Sequence, residues 1–229
     1  RLYTDLMLMT AHKGIVQDVH QVFDFIERPF QPVRFKHLLV APNEMRTRLY
    51  HMINREIRLA KAGQEAFIRL KLNHIVDEKM VAKLYEANQA GVQVELCLRG
   101  NCSLIPDIPG YSEGLFINGI ISRYLEHSRI YIFGNGGDPR YFIGSTDWMS
   151  RNLDRRVEVM TPVYDPDIQQ ELDFIVSAGL ADTEQGYHVR VSDVRPRRDD
   201  YPAGTPLFNS QQALYKYYLD RKQSENDHA

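Results

Sequence analysis

The sequence predicts a mixed α/β fold, a sheet with flanking helices, and three observations lead there. From residue 37 onward, short apolar runs of strand length alternate with segments of helical period, the signature of parallel βαβ units. Arg129–Phe133 and Tyr141–Ile143, both rich in β-branched and aromatic residues, flank a turn containing Asn135, Gly136 and Gly137, which adds an antiparallel hairpin. The composition is ordinary globular, 43% hydrophobic and 25% charged over 229 residues, enough for one large domain or two smaller ones with a real core.

In chain order, residues 2–10 read as a strand, followed by a helix with Ile15, Val19, Val22, Phe23 and Ile26 on one face. Pro29 and Pro32 break it and mark a boundary near residue 36. His37–Val40 reads as a short buried strand. Pro42 and Asn43 open a helix with Met45, Leu49, Met52, Ile53 and Ile57 in register, stopped by Gly63. A strand at Ala66–Leu72 leads to a helix capped by Asp77, with Met80, Val81, Leu84 and Tyr85 inward. After Gly91 the positions Val92, Val94, Leu96 and Leu98 alternate as a strand, with Arg99 at its carboxyl end, where α/β sheets collect ligands. Residues 100–114 form a loop, and Leu115–Ile121 is a further strand. Arg155–Pro162 resumes strand character, and Asp165-Pro166 caps a helix through Ile168, Leu172, Ile175 and Val176. An arginine-rich strand and loop cover Tyr187–Gly204. The last helix, capped by Asn209 or Ser210, is expected to bury Leu214 and two of Tyr215, Tyr217 and Tyr218, with a polar, disordered tail at 223–229.

A formal charge of −2 excludes a uniformly basic nucleic-acid binder, but the cations are unevenly distributed. No lysine occurs between Leu84 and Tyr215, whereas that span holds Arg99, Arg123, Arg129, Arg140, Arg151, Arg155, Arg156, Arg190, Arg195, Arg197 and Arg198. A guanidinium grips phosphate oxygens with two parallel N–H donors, so the bias fits phosphate recognition. Cys97 and Cys102 are too few and too close to frame a disulfide scaffold, which fits a reduced intracellular protein, and they are too few ligands for zinc. No apolar run approaches the roughly 20 residues that span a bilayer, and the chain reads as a fragment of something longer.

The chemistry concentrates between Leu125 and Glu158. His127 precedes the first hairpin strand, while Ser145 and Asp147 follow the second, so antiparallel pairing sets all three at one end. A histidine beside a hydroxyl and a carboxylate can hold one tautomer and shuttle a proton or carry a phosphoryl group. Ser145 and Asp147 are expected to orient His127 by hydrogen bonds. The lone Trp148 reads as core. The remaining histidines, His12, His20, His37, His51, His74, His188 and His228, read as structural.

His127-Ser128-Arg129, a strand, a turn and Gly144-Ser145-Thr146-Asp147 are similar to the phospholipase D superfamily motif, His-x-Lys-x4-Asp, six residues, then Gly-Ser-x-Asn. Arg129 stands in place of the lysine, Gly134 in place of the aspartate, and the spacing to Gly144 is three residues longer. The fuller strings, Arg123–His127, Phe133–Gly137, Asp147–Met149 and Arg151–Arg156, resemble the C-terminal part of bacterial polyphosphate kinases. Arg1–Asp5 and Leu98–Leu104 fit the same family.

That resemblance implies a phospholipase-D-like mixed sheet. Residues 1–36 would end a preceding phospholipase-D-like domain, and 37–222 would form the C-terminal one. It further implies reversible transfer of the terminal phosphate of ATP to inorganic polyphosphate, through a phosphohistidine formed in the missing domain. His127 would be catalytic. Tyr3, Arg99, His127 and Arg156 would contact nucleotide and phosphate, with Ser145 and Asp147 in support. Mg²⁺ is implied without ligands identifiable in this chain. So are ATP or ADP and polyphosphate as partners, a homo-oligomer, and a cytoplasmic location with attachment at the inner-membrane periphery left open. A phosphodiesterase of the phospholipase D superfamily and a non-catalytic polyanion-binding module are the alternatives.

Overall fold

The computed structural model describes residues 2–227. In chain order the elements are β1 (Tyr3–Thr4), α1 (Lys13–Glu27), β2 (Leu39–Ala41), α2 (Met45–Lys61), β3 (Phe67–Leu72), α3 (Glu78–Gln89), β4 (Gln93–Leu98), β5 (Leu115–Ile120), β6 (Leu125–Glu126), β7 (Ile130–Phe133) and β8 (Arg140–Gly144). They continue with α4 (Ser150–Asp154), β9 (Glu158–Val163), α5 (Pro166–Ala181), β10 (Gly186–Val189), β11 (Val194–Pro196) and α6 (Ser210–Asp227). Nine strands form one mixed sheet in the order β11-β10-β5-β4-β3-β7-β8-β9-β2, and β1 pairs with β6 in a separate two-stranded ribbon.

Only β3, β4 and β5 run parallel within the large sheet; its other pairings are antiparallel. This topology positions the site. Because Lys71 pairs with Ile130, the segment before β7 lies beside the carboxyl end of β3. The same end receives Arg99 after β4, Ser145 after β8, and the start of β9, since Gly144 pairs with Met160. Residues from Lys71 to Met160 in sequence therefore converge at one edge, the carboxyl end of the parallel strands.

Helices cover both faces. On one, Met45, Leu49 and Ile53 of α2 and Met80 and Leu84 of α3 pack on Leu70, Leu96, Ile117 and the fully buried Trp148. On the other, Leu172, Ile175 and Val176 of α5 meet Cys97, Ile130 and Ile132. Asp77 accepts the Met80 N–H at the head of α3, and Asp165 accepts those of Asp167 and Ile168 ahead of Pro166, the N-caps expected from sequence. The hairpin turn has positive φ at Asn135, Gly136 and Gly137, which explains its composition. Both cysteines are free thiols, and burial pushes Cys97 up to about 12, where it is chemically quiet.

Three local expectations are corrected. The strand at 2–10 contracts to Tyr3–Thr4, because the strand it pairs with among the described residues, β6, is two residues long. Of the expected stripe on α1 only Ile15 and Val22 are buried, joined by Asp18, while Val19, Phe23 and Ile26 are exposed. Asp18 turns inward because its carboxylate accepts the backbone N–H groups of His37 at 2.6 Å and Leu38 at 2.9 Å. Finally, α6 runs on to Asp227 through most of the expected tail, while His228 and Ala229, like Arg1, lie outside the described residues. Along that helix Leu214 is half-buried and Tyr217 stacks on Phe174, but Tyr215 and Tyr218 are exposed.

Candidate phosphate-handling site

His127 follows β6, the inner strand of the small ribbon, and its backbone is held by Thr4: the His127 N–H donates to the Thr4 carbonyl at 3.0 Å. The pairing of Thr4 with Glu126 places the next residue, Asp5, beside the imidazole. Asp5 Oδ2 lies 2.7 Å from His127 Nδ1. A carboxylate only accepts, so Nδ1 carries the proton. Burial raises the pKa of Asp5, but the bonds to His127 and to the Leu6 N–H prevail and draw it below the usual value, keeping it ionised at neutral pH. The imidazole side chain is 36% exposed, open enough to meet a ligand.

Arg129 stands on the other side, with Nη1 3.4 Å from His127 Nε2 and 3.0 Å from the His127 carbonyl. Its fork faces the Asp147 carboxylate, Nε to Oδ1 and Nη2 to Oδ2, both at 3.3 Å. Asp147 Oδ1 also accepts the backbone N–H groups of Asn73 at 2.9 Å and His74 at 3.2 Å, at the end of β3. Asn73 Oδ1 in turn accepts from Arg99 Nε at 3.0 Å. A continuous polar chain thus runs from Arg99 through Asn73, Asp147 and Arg129 to His127.

The expected supporting roles change in form. Asp147 does not bond to His127; it acts through Arg129, because its oxygens are already committed to the β3 end and to the guanidinium. Ser145 does not reach the imidazole either. Its hydroxyl donates to Glu158 Oε2, whose other oxygen accepts from Asn152 Nδ2 at 2.6 Å, and it accepts the Val159 N–H at 3.3 Å, so it latches β8 to β9. The residue that orients His127 is Asp5, which lies far away in sequence; the parallel register of two short strands brings it there.

Tyr3 packs edge-on against His127 with ring centroids 5.2 Å apart and is 64% exposed. Arg99 lines a hollow of 170 Å³ with Ile120, Ser122, Tyr124 and Glu126. A second hollow, of 270 Å³, is bordered by Tyr3, Asp5, Glu126, Tyr124, Gln211 and Tyr218, so the two flank β6. Arg156 is exposed in the bend before β9, at the same sheet end, but makes no side-chain hydrogen bond to the His127 cluster among the described residues. Gly134, where the phospholipase D motif carries aspartate, packs on Phe67: an added Cβ would meet that ring at 2.8 Å. Among the other histidines, His74 Nδ1 accepts the Asn101 N–H at 3.0 Å and His37 Nδ1 lies 2.8 Å from the Tyr164 hydroxyl.

Residues 38–211 match the family model described as polyphosphate kinase C-terminal domain 2. The chain belongs to the polyphosphate kinase family. It is 46% identical over 183 residues to a polyphosphate kinase of Vibrio vulnificus strain YJ016, covering 80% of this chain and 26% of that protein. Against the polyphosphate kinase of Escherichia coli K12 it is 42% identical over 226 residues, 98% of this chain and 32% of that one. A crystal structure of polyphosphate kinase from Porphyromonas gingivalis superimposes with a TM-score of 0.91 at 36% identity, over 98% of this chain and 34% of that chain. The mixed sheet with flanking helices is therefore the polyphosphate kinase fold of this region, and the chain spans about a quarter to a third of the length of the relatives it matches.

Among the described residues no group of three or more His, Cys, Asp or Glu side chains could hold a metal ion. The residues present do not fit the implied Mg²⁺. No helix among the described residues is long and apolar enough to cross a membrane.

Proposed function

We propose that this chain supplies the second half of a polyphosphate kinase active site, moving the terminal phosphate of ATP reversibly onto inorganic polyphosphate. In this reading residues 1–36 close a preceding phospholipase-D-like domain, and 37–222 form the C-terminal one. The observation that carries it is the imidazole of His127 between two fixed partners, Asp5 at Nδ1 and Arg129 at Nε2. With the proton held at Nδ1, the neutral ring offers Nε2 as a base. When protonated there, it donates to a phosphoryl oxygen and disperses the charge of the transferring group.

The neighbouring cations fit that task. Phosphoryl transfer depends mainly on alignment and on neutralising charge over the equatorial oxygens. Arg129 and Arg99 are half-buried and pre-aligned by the Asp147 and Asn73 links, so little side-chain freedom remains to be lost when a phosphate arrives. Tyr3 offers an exposed ring beside His127 on which a nucleoside can rest. Arg156, free of the cluster, is assigned to the polyphosphate chain. ATP or ADP, Mg²⁺ brought with the nucleotide, polyphosphate, a homo-oligomer and a cytoplasmic seat at or off the inner-membrane periphery complete the proposal.

The test is chain growth from ATP and Mg²⁺ by this chain alone and by the complete enzyme. The split-site reading expects nucleotide binding but little turnover by the chain alone. Robust synthesis without the preceding domains would overturn it.

A further inference from the structure

The ribbon that carries His127 is not part of the nine-stranded sheet, and β1 and β6 share only two residue pairs. So short a ribbon cannot by itself fix an imidazole to a fraction of an ångström. What joins it to the sheet is a buried lysine. Lys71, 3% exposed near the end of β3, is flanked across the sheet by Cys97 and Ile130 on the α5 face. Its ammonium reaches Glu126 Oε2 at 2.8 Å, Ser128 Oγ at 2.9 Å and the Ser128 carbonyl at 3.4 Å. It therefore holds both sequence neighbours of His127.

Glu126 completes the junction. Its Oε2 also accepts from Thr4 Oγ1 at 2.9 Å, and its Oε1 accepts from Gln211 Nε2 at 2.5 Å. Gln211, near the start of α6, brackets Tyr124 as well, donating to its carbonyl and accepting its N–H, both at 3.0 Å. Burial opposes ionisation of Glu126, but Lys71 beside it outweighs that, and its pKa lies below the usual carboxylate range. Taking a lysine and a glutamate out of water is costly, and an apolar pair of similar volume often serves stability as well or better. An ion pair at this position needs a reason other than stability, and its contacts on Thr4, Ser128 and Gln211, the last of which also brackets Tyr124, supply one.

We propose that Lys71 and Glu126 are positioning residues for His127: together they peg β6 to the sheet, tie β1 to β6 through Thr4, and so set the distances from the imidazole to Asp5 and Arg129. The proposal rests on the reading of His127 as the reacting imidazole, yet its geometric content can be measured without turnover. Glu126 also borders both hollows, so the peg fixes the wall between them.

The experiment uses Lys71→Met with Glu126→Leu, and separately the isosteric Glu126→Gln, with the folding of each verified by circular dichroism. In this chain, thermal stability is measured together with the tautomer of His127, read from its ring-nitrogen chemical shifts and assigned with His127→Gln. In the complete kinase, kcat and the KM for ATP are measured. The expected result is a melting temperature within a few degrees of the parent for the double variant, a mixture of imidazole tautomers in place of the Nδ1-protonated form, and a kcat at least tenfold lower. KM should move less than threefold. Glu126→Gln should show the same tautomer mixing. A single native tautomer in either folded variant overturns the proposal. His127→Ala with full activity would instead overturn the catalytic reading, leaving the tautomer result to decide the positioning role alone.

Discussion

Asp5 and His127 are separated by most of the chain, yet Asp5 Oδ2 sits 2.7 Å from His127 Nδ1. Replacing Asp5 by Asn keeps the shape and removes the acceptor charge, so the ring loses its reason to protonate at Nδ1. The complete kinase carrying Asp5→Asn should lose about 10²-fold in kcat, the usual scale for positioned acid–base chemistry. Nucleotide affinity, measured by calorimetry, should change little.

Arg129 tests geometry against charge. Arg129→Lys preserves the cation but not the fork that spans Asp147 while touching His127, and it restores the residue the phospholipase D motif carries here. The expected outcome is a fall in kcat of about tenfold or more with no gain of phosphodiesterase activity. A lysine variant as active as the parent would show that a point charge suffices.

Asp147 is buried and satisfies two backbone N–H groups at the end of β3 as well as Arg129. Asp147→Ala leaves those donors unpaired, which costs about 1–3 kcal/mol each before relaxation. Denaturant unfolding should therefore show a marked loss of stability, whereas Arg156→Ala, at an exposed position, should stay within about 0.5 kcal/mol of the parent.

Acid stability should report on Asp77. Burial raises its pKa, but the paired bonds from Arg46, the Ser150 hydroxyl and the Met80 N–H prevail and lower it from 3.8 to about 2. A carboxyl whose folded pKa lies below its unfolded value contributes stability that is complete above the unfolded pKa. That stability is lost as pH falls through the folded one. Between about pH 4 and pH 2 the chain should lose on the order of 2 kcal/mol through this group. Asp77→Asn should flatten that part of the profile.

The architecture was largely legible because period and caps agree: Asp77 and Asp165 begin their helices, and Asn135-Gly136-Gly137 turns the hairpin where composition demands. The site was legible only in part. His127, Arg99 and Tyr3 could be named from motif strings, but Asp5 and Lys71 could not be assigned roles. Both owe theirs to register between strands that are distant in sequence, β1 with β6 and β3 with β7. Lys71 between Leu70 and Leu72 of β3 was the one available signal, since an ammonium buried there has to find a partner. Ser145 and Asp147 were placed at the correct end of the hairpin, but spacing alone could not show that Glu158 and Arg129 would claim them. On α1 the periodic apolar stripe misled because a carboxylate with two backbone donors to satisfy took the inward position.

The most direct measurement is ATP-dependent polyphosphate synthesis by the complete kinase carrying His127→Ala, with folding verified by circular dichroism and polyphosphate binding measured alongside. The imidazole held between Asp5 and Arg129 predicts a loss of at least about 10²-fold in kcat with polyphosphate binding largely retained. Synthesis at the parent rate would contradict it and leave this region as a binding module.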